Sequence, residues 1–177
     1  PILENIKNPG AWLLLIVMIG YGFGQSAFGT YFPTYLITEI GMNAEAANTA
    51  TSIASIFNMV SGVLVGYALN RIANKKHPVF LAVAIVLTTI CFAIQFNIPS
   101  SGFVIPFMVV YGLILQMVPP ITFSIAPVTA KNPAAVGTAL GIVVIGVNFA
   151  GLCGNLFTSY FVEKYGSYSS ATIPLTI

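Results

Sequence analysis

Charge is absent from this chain over very long distances, and that feature most constrains what it can fold into. Lys7 and Glu39 enclose an uncharged stretch from Asn8 to Thr38, and Glu45 and Arg71 enclose Ala46 to Asn70. No charge falls between Pro78 and Ala130, and a further stretch runs from Asn132 to Val162. A soluble domain needs about a quarter of its residues charged to cover its surface. Here 6% of 177 residues are charged and 57% are hydrophobic. A water-soluble enzyme is excluded. At about 20 apolar residues per helical crossing, the length is used up by about six crossings.

The expected organisation is one all-α integral membrane domain over residues 1–177. Spans are expected at about 11–38, 46–70, 78–97, 102–127 and 133–161, with a partial sixth at 167–177 that looks cut short. The turn-forming cluster Asn97-Ile-Pro-Ser-Ser-Gly102 divides the longest uncharged stretch into spans three and four. Pro1 to Lys7 carries neither a basic cluster nor a small-residue cleavage site, so the first span is expected to direct insertion. Lys7, Arg71, Lys75, Lys76 and Lys131 fall on one side if the spans alternate, and only Lys164 falls on the other. Because Lys and Arg accumulate in short cytoplasmic loops, the N-terminus is expected in the cytoplasm of a plasma or bacterial inner membrane. Glu39, Glu45 and Glu163 then lie outside. Cys91 and Cys153 sit in apolar stretches and read as small core residues rather than a disulfide framework. A net charge of +2 gives no reason to expect a nucleic-acid partner.

An internal echo runs at an offset of 89 residues. Asn43, Ala46, Thr49, Ala50, Ile53 and Gly62 at span two recur as Asn132, Ala135, Thr138, Ala139, Ile142 and Gly151 at span five, and Tyr21-Gly22 recurs as Tyr111-Gly112 at an offset of 90. Spans three apart run in opposite directions, so the echo reads as an inverted-topology repeat of three spans, or as coincidence between two Ala/Gly/Thr-rich helices.

Chemistry inside the membrane needs groups that titrate or coordinate there. The one histidine, His77, stands beside Lys75 and Lys76 in an expected loop, aspartate is absent, and the two cysteines belong to different spans. Neither a hydrolase nor a metal or cofactor site is expected. What remains is uncharged polarity, costly to expose to lipid and therefore turned toward other helices or a cavity. Tyr21 and Gln25 share a face of span one; Asn48, Ser52 and Ser55 form a stripe on span two, which also carries Asn58. Span four offers Tyr111 and Gln116, and span five offers Gly137, Gly141, Asn148, Gly151 and Asn155. Small-residue stripes such as Gly137 and Gly141 fit close helix packing. Gln25, Asn58, Gln116 and Asn148 fit cavity lining or a hydrogen-bonded interface, and Tyr21 and Tyr111 fit lining or interfacial anchoring. Pro33, Pro119, Pro120 and Pro127 favour kinks in spans one and four. Span three is expected to be a lipid-facing outer helix.

The segment Gly66-Tyr-Ala-Leu-Asn70-Arg71-Ile-Ala-Asn-Lys75-Lys76 resembles the G-x-L-a-D-R-x-G-R-R signature of the major facilitator superfamily. Gly66, Arg71 and Lys75 hold their places, while Asn70 stands at the acidic position and Ala73 at the second glycine. Asn8-Pro9 and Tyr31-Phe-Pro-Thr-Tyr-Leu36 also resemble the C-terminal half of such a transporter. The resemblance implies a six-helix half-bundle of 3+3 inverted repeats, with spans one and four lining a cavity, spans two and five flanking it, and Gly66, Asn70, Arg71 and Lys75 forming a cytoplasmic gating loop. It implies secondary transport of a small polar or anionic solute by alternating access. The partner would be the N-terminal half of the same protein or a second copy, and the unfinished sixth span reads as a fragment. The alternative is a non-transporting scaffold or receptor-like protein of the same fold.

Overall fold

A computed structural model describes residues 8–130 and 135–172. Among them there are helices and no strands. Helix α1 is Pro9–Thr38, α2 Ala44–Arg71, α3 His77–Ile94, α4 Val104–Leu115, α5 Val118–Thr129 and α6 Val136–Tyr165, with short 3-10 turns at Asn74–Lys76, Ser101–Phe103 and Tyr168–Ala171. Counting α4 and α5 as one broken span, five helices among the described residues are long and apolar enough to cross a membrane. A 30-residue helix such as α1 is about 45 Å long and fits a hydrocarbon core of about 30 Å only with tilt or with overhanging ends.

The helix ends follow local chemistry. Asn8 caps α1 by accepting a bond from the Gly10 amide at 3.0 Å, with Pro9 at the first helical position. Asn43 caps α2 by accepting from Ala46 N at 2.7 Å; Glu45 lies in its first turn and Arg71 in its last, each at the favourable end of the helix dipole. Helix α6 stops at Gly166, whose φ of 69° lies in the left-handed region open to glycine. Asn8 Nδ2 also donates to the Thr129 carbonyl, tying the start of α1 to the end of α5. That end carries Arg71, Lys75 and Lys76; Glu39, Glu45 and Glu163 lie at the opposite one.

Two close helix pairs build the bundle: α1 against α6, and α2 against α4. Glycine sets both distances. A Cβ on Gly22 of α1 would lie 2.9 Å from the Val147 carbonyl of α6, and one on Gly112 of α4 would lie 2.5 Å from the Ala54 carbonyl of α2. Gly22 and Gly112 are the two glycines of the repeated Tyr-Gly pair, and they act in corresponding contacts, span one on span five and span four on span two. Ala139, Val143, Gly146, Ala150 and Gly154 form the buried stripe of α6 at helical spacing, and Gly146, Ala150 and Gly154 of it lie against α1. The expected contact of Gly137 and Gly141 is therefore corrected: they lie off that face, and a Cβ on either would meet no atom within 4 Å.

Three further expectations change. Span four is broken rather than kinked, because α4 ends at Leu115 and α5 starts at Val118. Span three is half embedded: Leu81, Ala84, Thr88, Cys91 and Phe92 are buried while Val79, Val83, Val86 and Ile90 are exposed. His77 is the first residue of α3 rather than loop, and it is buried. Segment 167–177 begins as the 3-10 turn Tyr168–Ala171. Residues 173–177 lie outside the described residues, as do Lys7, Lys131 and Asn132 of the charge and repeat patterns.

Replacing Gly112 by valine forces side-chain atoms into the α2 backbone and should cost about 1–3 kcal/mol. The expected outcome is a clear fall in the thermal unfolding midpoint of the detergent-solubilised protein. Gly20→Ala, at a position where a Cβ meets nothing within 4 Å, should leave the midpoint unchanged or raise it.

Candidate functional site: an uncharged cavity at mid-membrane

Four amide side chains sit near the middles of four spans: Gln25 on α1, Asn58 on α2, Gln116 at the α4–α5 break and Asn148 on α6. They converge. A depression of about 240 Å³ is lined by Tyr21, Gln25, Gln116 and Asn148, with Met18, Pro119 and Phe123 toward the basic end. A second, of about 460 Å³, shares Gln25 and Asn148 and adds Asn58, Ser26, Ser55 and Gly151. Asn58 and Gln116 line a third, of about 430 Å³, beside Gly62. A fourth, of about 260 Å³, extends the second toward the acidic end through Phe28, Gly29 and Ser55, and adds Pro33, Thr51 and Ser52. Shared residues thus join the depressions into one elongated cavity. Among the described residues, none of those lining it is charged and none belongs to α3.

The break in span four comes from its prolines. Pro119 and Pro120 occupy the first turn of α5, where amide N–H groups have no helical acceptor, so they are tolerated there. A continuous helix would need those N–H groups for the carbonyls of Leu115 and Gln116. The chain instead tightens, with Met117 N bonding the Ile114 carbonyl at 3.0 Å, and Ser61 Oγ of α2 donates to the Leu113 carbonyl. The break places Gln116 on the cavity wall.

Of the candidate lining residues, the structure brings together Tyr21, Gln25, Asn58, Gln116 and Asn148. Tyr111 is placed elsewhere. Fully buried, it stacks on Phe28 with ring centroids 4.2 Å apart, and its hydroxyl donates to Gln95 Oε1 at 3.1 Å. Phe28, Phe32, Tyr35, Phe96 and Tyr168 continue this cluster as an aromatic layer below the acidic end. The 3-10 turn closes over it: Tyr168 N donates to Glu39 Oε1 at 2.7 Å and Ser169 Oγ to the Phe96 carbonyl at 3.0 Å.

The loop motif is exposed. Asn70, Arg71 and Lys75 face outward, Arg71 lies over the Tyr67 ring at 4.9 Å, and Gly66 is half-buried with open space at its Cβ position. The connection that joins this loop to the bundle was missed by sequence reasoning: His77 Nε2 lies 3.2 Å from the Ile72 carbonyl and Nδ1 lies 3.3 Å from Ser124 Oγ of α5. Gln95, wholly buried at the end of α3, was missed as well. A glutamine two residues before a turn cluster carries no sequence signal of burial.

A bundle of apolar helices around an uncharged polar cavity is the setting in which the comparisons apply. Residues 1–154 match the sequence profile of the Major Facilitator Superfamily. The chain belongs to the major facilitator superfamily. This major facilitator chain is 23% identical over 181 aligned residues to a protein named hexuronate transporter from Bacillus subtilis (strain 168). The alignment covers 97% of the chain and 42% of that relative, so the chain spans less than half of the relative's length. No solved structure matches it significantly. The named relative is a transporter, not an enzyme, and among the described residues no group of His, Cys and Glu side chains is placed to hold a metal ion.

In a background with Cys91 and Cys153 replaced, single cysteines at Gln25, Asn58, Gln116 and Asn148 should react with a membrane-impermeant maleimide in detergent. Cysteines at Tyr111 and Gln95 should remain unlabelled until the protein is denatured.

Proposed function

We propose that this chain is half of the pathway of a secondary active transporter that moves a small polar or anionic solute by alternating access. The observation that carries the reading is the convergence of Gln25, Asn58, Gln116 and Asn148 from four spans on one uncharged, mid-span cavity. Amides both donate and accept, so four of them can replace the hydration of a hydroxylated or carboxylated solute without fixing a charge in the membrane. The named relative makes sugar acids the first solutes to test. A carboxylate would require a cation, and none lines this cavity, so its counter-charge is assigned to the remainder of the transporter, an N-terminal half or a second copy. The basic end, with Arg71, Lys75 and Lys76, is assigned to the cytoplasm of a cell membrane. Membership in a transporter family and the open mid-span cavity favour transport over a scaffold or receptor-like role.

Cysteine at Gln25 or Gln116, modified with a bulky thiol reagent, should abolish uptake of radiolabelled glucuronate by the whole protein, and the unmodified variants should retain uptake. Uptake that survives complete modification would remove these residues from the pathway.

A further inference from the structure

His77, the one histidine of the chain, joins the loop after α2 to a helix more than forty residues further on. Helix α2 ends at Arg71 and the backbone turns extended at Ile72, which carries the Ile72 carbonyl out of the helical ladder. His77 Nε2 lies 3.2 Å from that carbonyl, and Nδ1 lies 3.3 Å from Ser124 Oγ of α5. The residue is 5% exposed, so its two nitrogens are met by protein rather than by bulk water. A carbonyl only accepts, which assigns the ring proton to Nε2 and leaves Nδ1 a lone pair in the neutral imidazole. Ser124 then supplies the hydrogen to Nδ1, dividing its hydroxyl between the ring and the Ile121 carbonyl, 2.7 Å away.

Helix α5 has a particular need of such a tie. It is 12 residues long, and the break after Leu115 uncouples it from α4, so α4 does not dictate its rotation. Packing of Val118, Ile121, Thr122 and Ala126 holds one face inward, and two polar ties from other helices are added to it. Asn8 Nδ2 of α1 holds the Thr129 carbonyl at the far end, and His77 of α3 holds Ser124 midway along. Phe123 precedes Ser124 and stands about 100° from it around the helix. It is 37% exposed, lies off the buried face, and lines the first depression together with Pro119, Gln25 and Asn148. A turn of α5 about its axis therefore moves Phe123 in the wall.

We propose that His77 is a positioning residue for the cavity. By holding Ser124 it fixes the rotation of α5 and the place of Phe123 in the wall, and by holding the Ile72 carbonyl it ties that wall to the loop of Gly66, Asn70, Arg71 and Lys75. Its effect on a solute rests on the reading of the cavity as a solute path; its effect on Phe123 does not. The ring acts through one donor and one acceptor. A glutamine amide carries the same pair and should replace it, whereas leucine fills the space and makes neither bond.

In the whole protein in detergent, with its cysteines replaced, one cysteine is returned at Phe123 or, as reference, at Ser55 in the depressions toward the acidic end. His77→Leu should raise the rate of maleimide modification at Phe123→Cys about fivefold and leave that at Ser55→Cys unchanged. Ser124→Ala should do the same, and the double variant should add nothing, since both changes delete one bond. His77→Gln should keep the wild-type rate. In proteoliposomes, KM for glucuronate should rise in His77→Leu and Ser124→Ala and stay in place in His77→Gln. If His77→Leu does not fold, Ser124→Ala, which removes only a hydroxyl, carries the same comparisons. An unchanged or lowered rate at Phe123→Cys, a rise at both cysteines, equal effects of glutamine and leucine, multiplying effects in the double variant, or an unmoved KM would reduce His77 to a packing residue and overturn the proposal. If a thiol adduct at Gln25→Cys blocks uptake while labelling at Phe123→Cys ignores His77, this inference alone falls. If the adduct does not block, the transport reading falls, and the labelling rates still decide what His77 does to Phe123.

Discussion

Inside a bilayer no water is available to satisfy the backbone, so each peptide group must be bonded within its helix, covered by a neighbour, or turned toward an aqueous cavity. The rest of this structure depends on that constraint. It produces long uninterrupted helices in α1, α2 and α6, and it gives meaning to the places where a helix is interrupted. The break between α4 and α5 is partly covered by Ser61 of α2.

Glycine supplies the complementary control. Gly22, Gly146 and Gly154 bring α1 and α6 to backbone contact, and Gly112 does the same for α4 on α2. Gln25, Asn58, Gln116 and Asn148 line the depressions beside these pairs, together with Gly22 and Val147 of the α1–α6 contact itself. Gly29, Gly62 and Gly151, lining the cavity, have little or nothing near their Cβ positions; they keep the wall low instead of drawing helices together. The same residue type thus serves two opposite purposes, distinguished by what lies across from it.

The fold and the polar centre of the site were largely legible in the sequence, for different reasons. Uncharged stretches bounded by single charges mark helices because crossing length is fixed by the bilayer. Gln25, Asn58, Gln116 and Asn148 stood out because a large polar side chain in such a stretch has few tolerable places. Tyr111 could not be sorted from Tyr21 in this way, since a phenol suits both a cavity and a core, and its core position depends on Phe28 and Gln95, remote in sequence. Gly137 and Gly141 carried a packing pattern, yet the rotation of α6 about its axis put Gly146 and Gly154 at the contact. His77 read as loop because its neighbours are charged, while its burial depends on Ser124 in another helix.

By itself the sequence determined that the chain lives in a membrane, how many apolar helices it makes, and which side chains are too polar to face lipid. These follow from hydropathy, helix length and backbone pairing, which are properties of each segment alone. Only the tertiary structure decided which face of each helix is inward, which glycines are contacts, and that the four amides share one wall. Those depend on the rotation and spacing of whole helices, set by steric fits such as Gly22 on Val147 and Gly112 on Ala54, between residues that no local pattern connects.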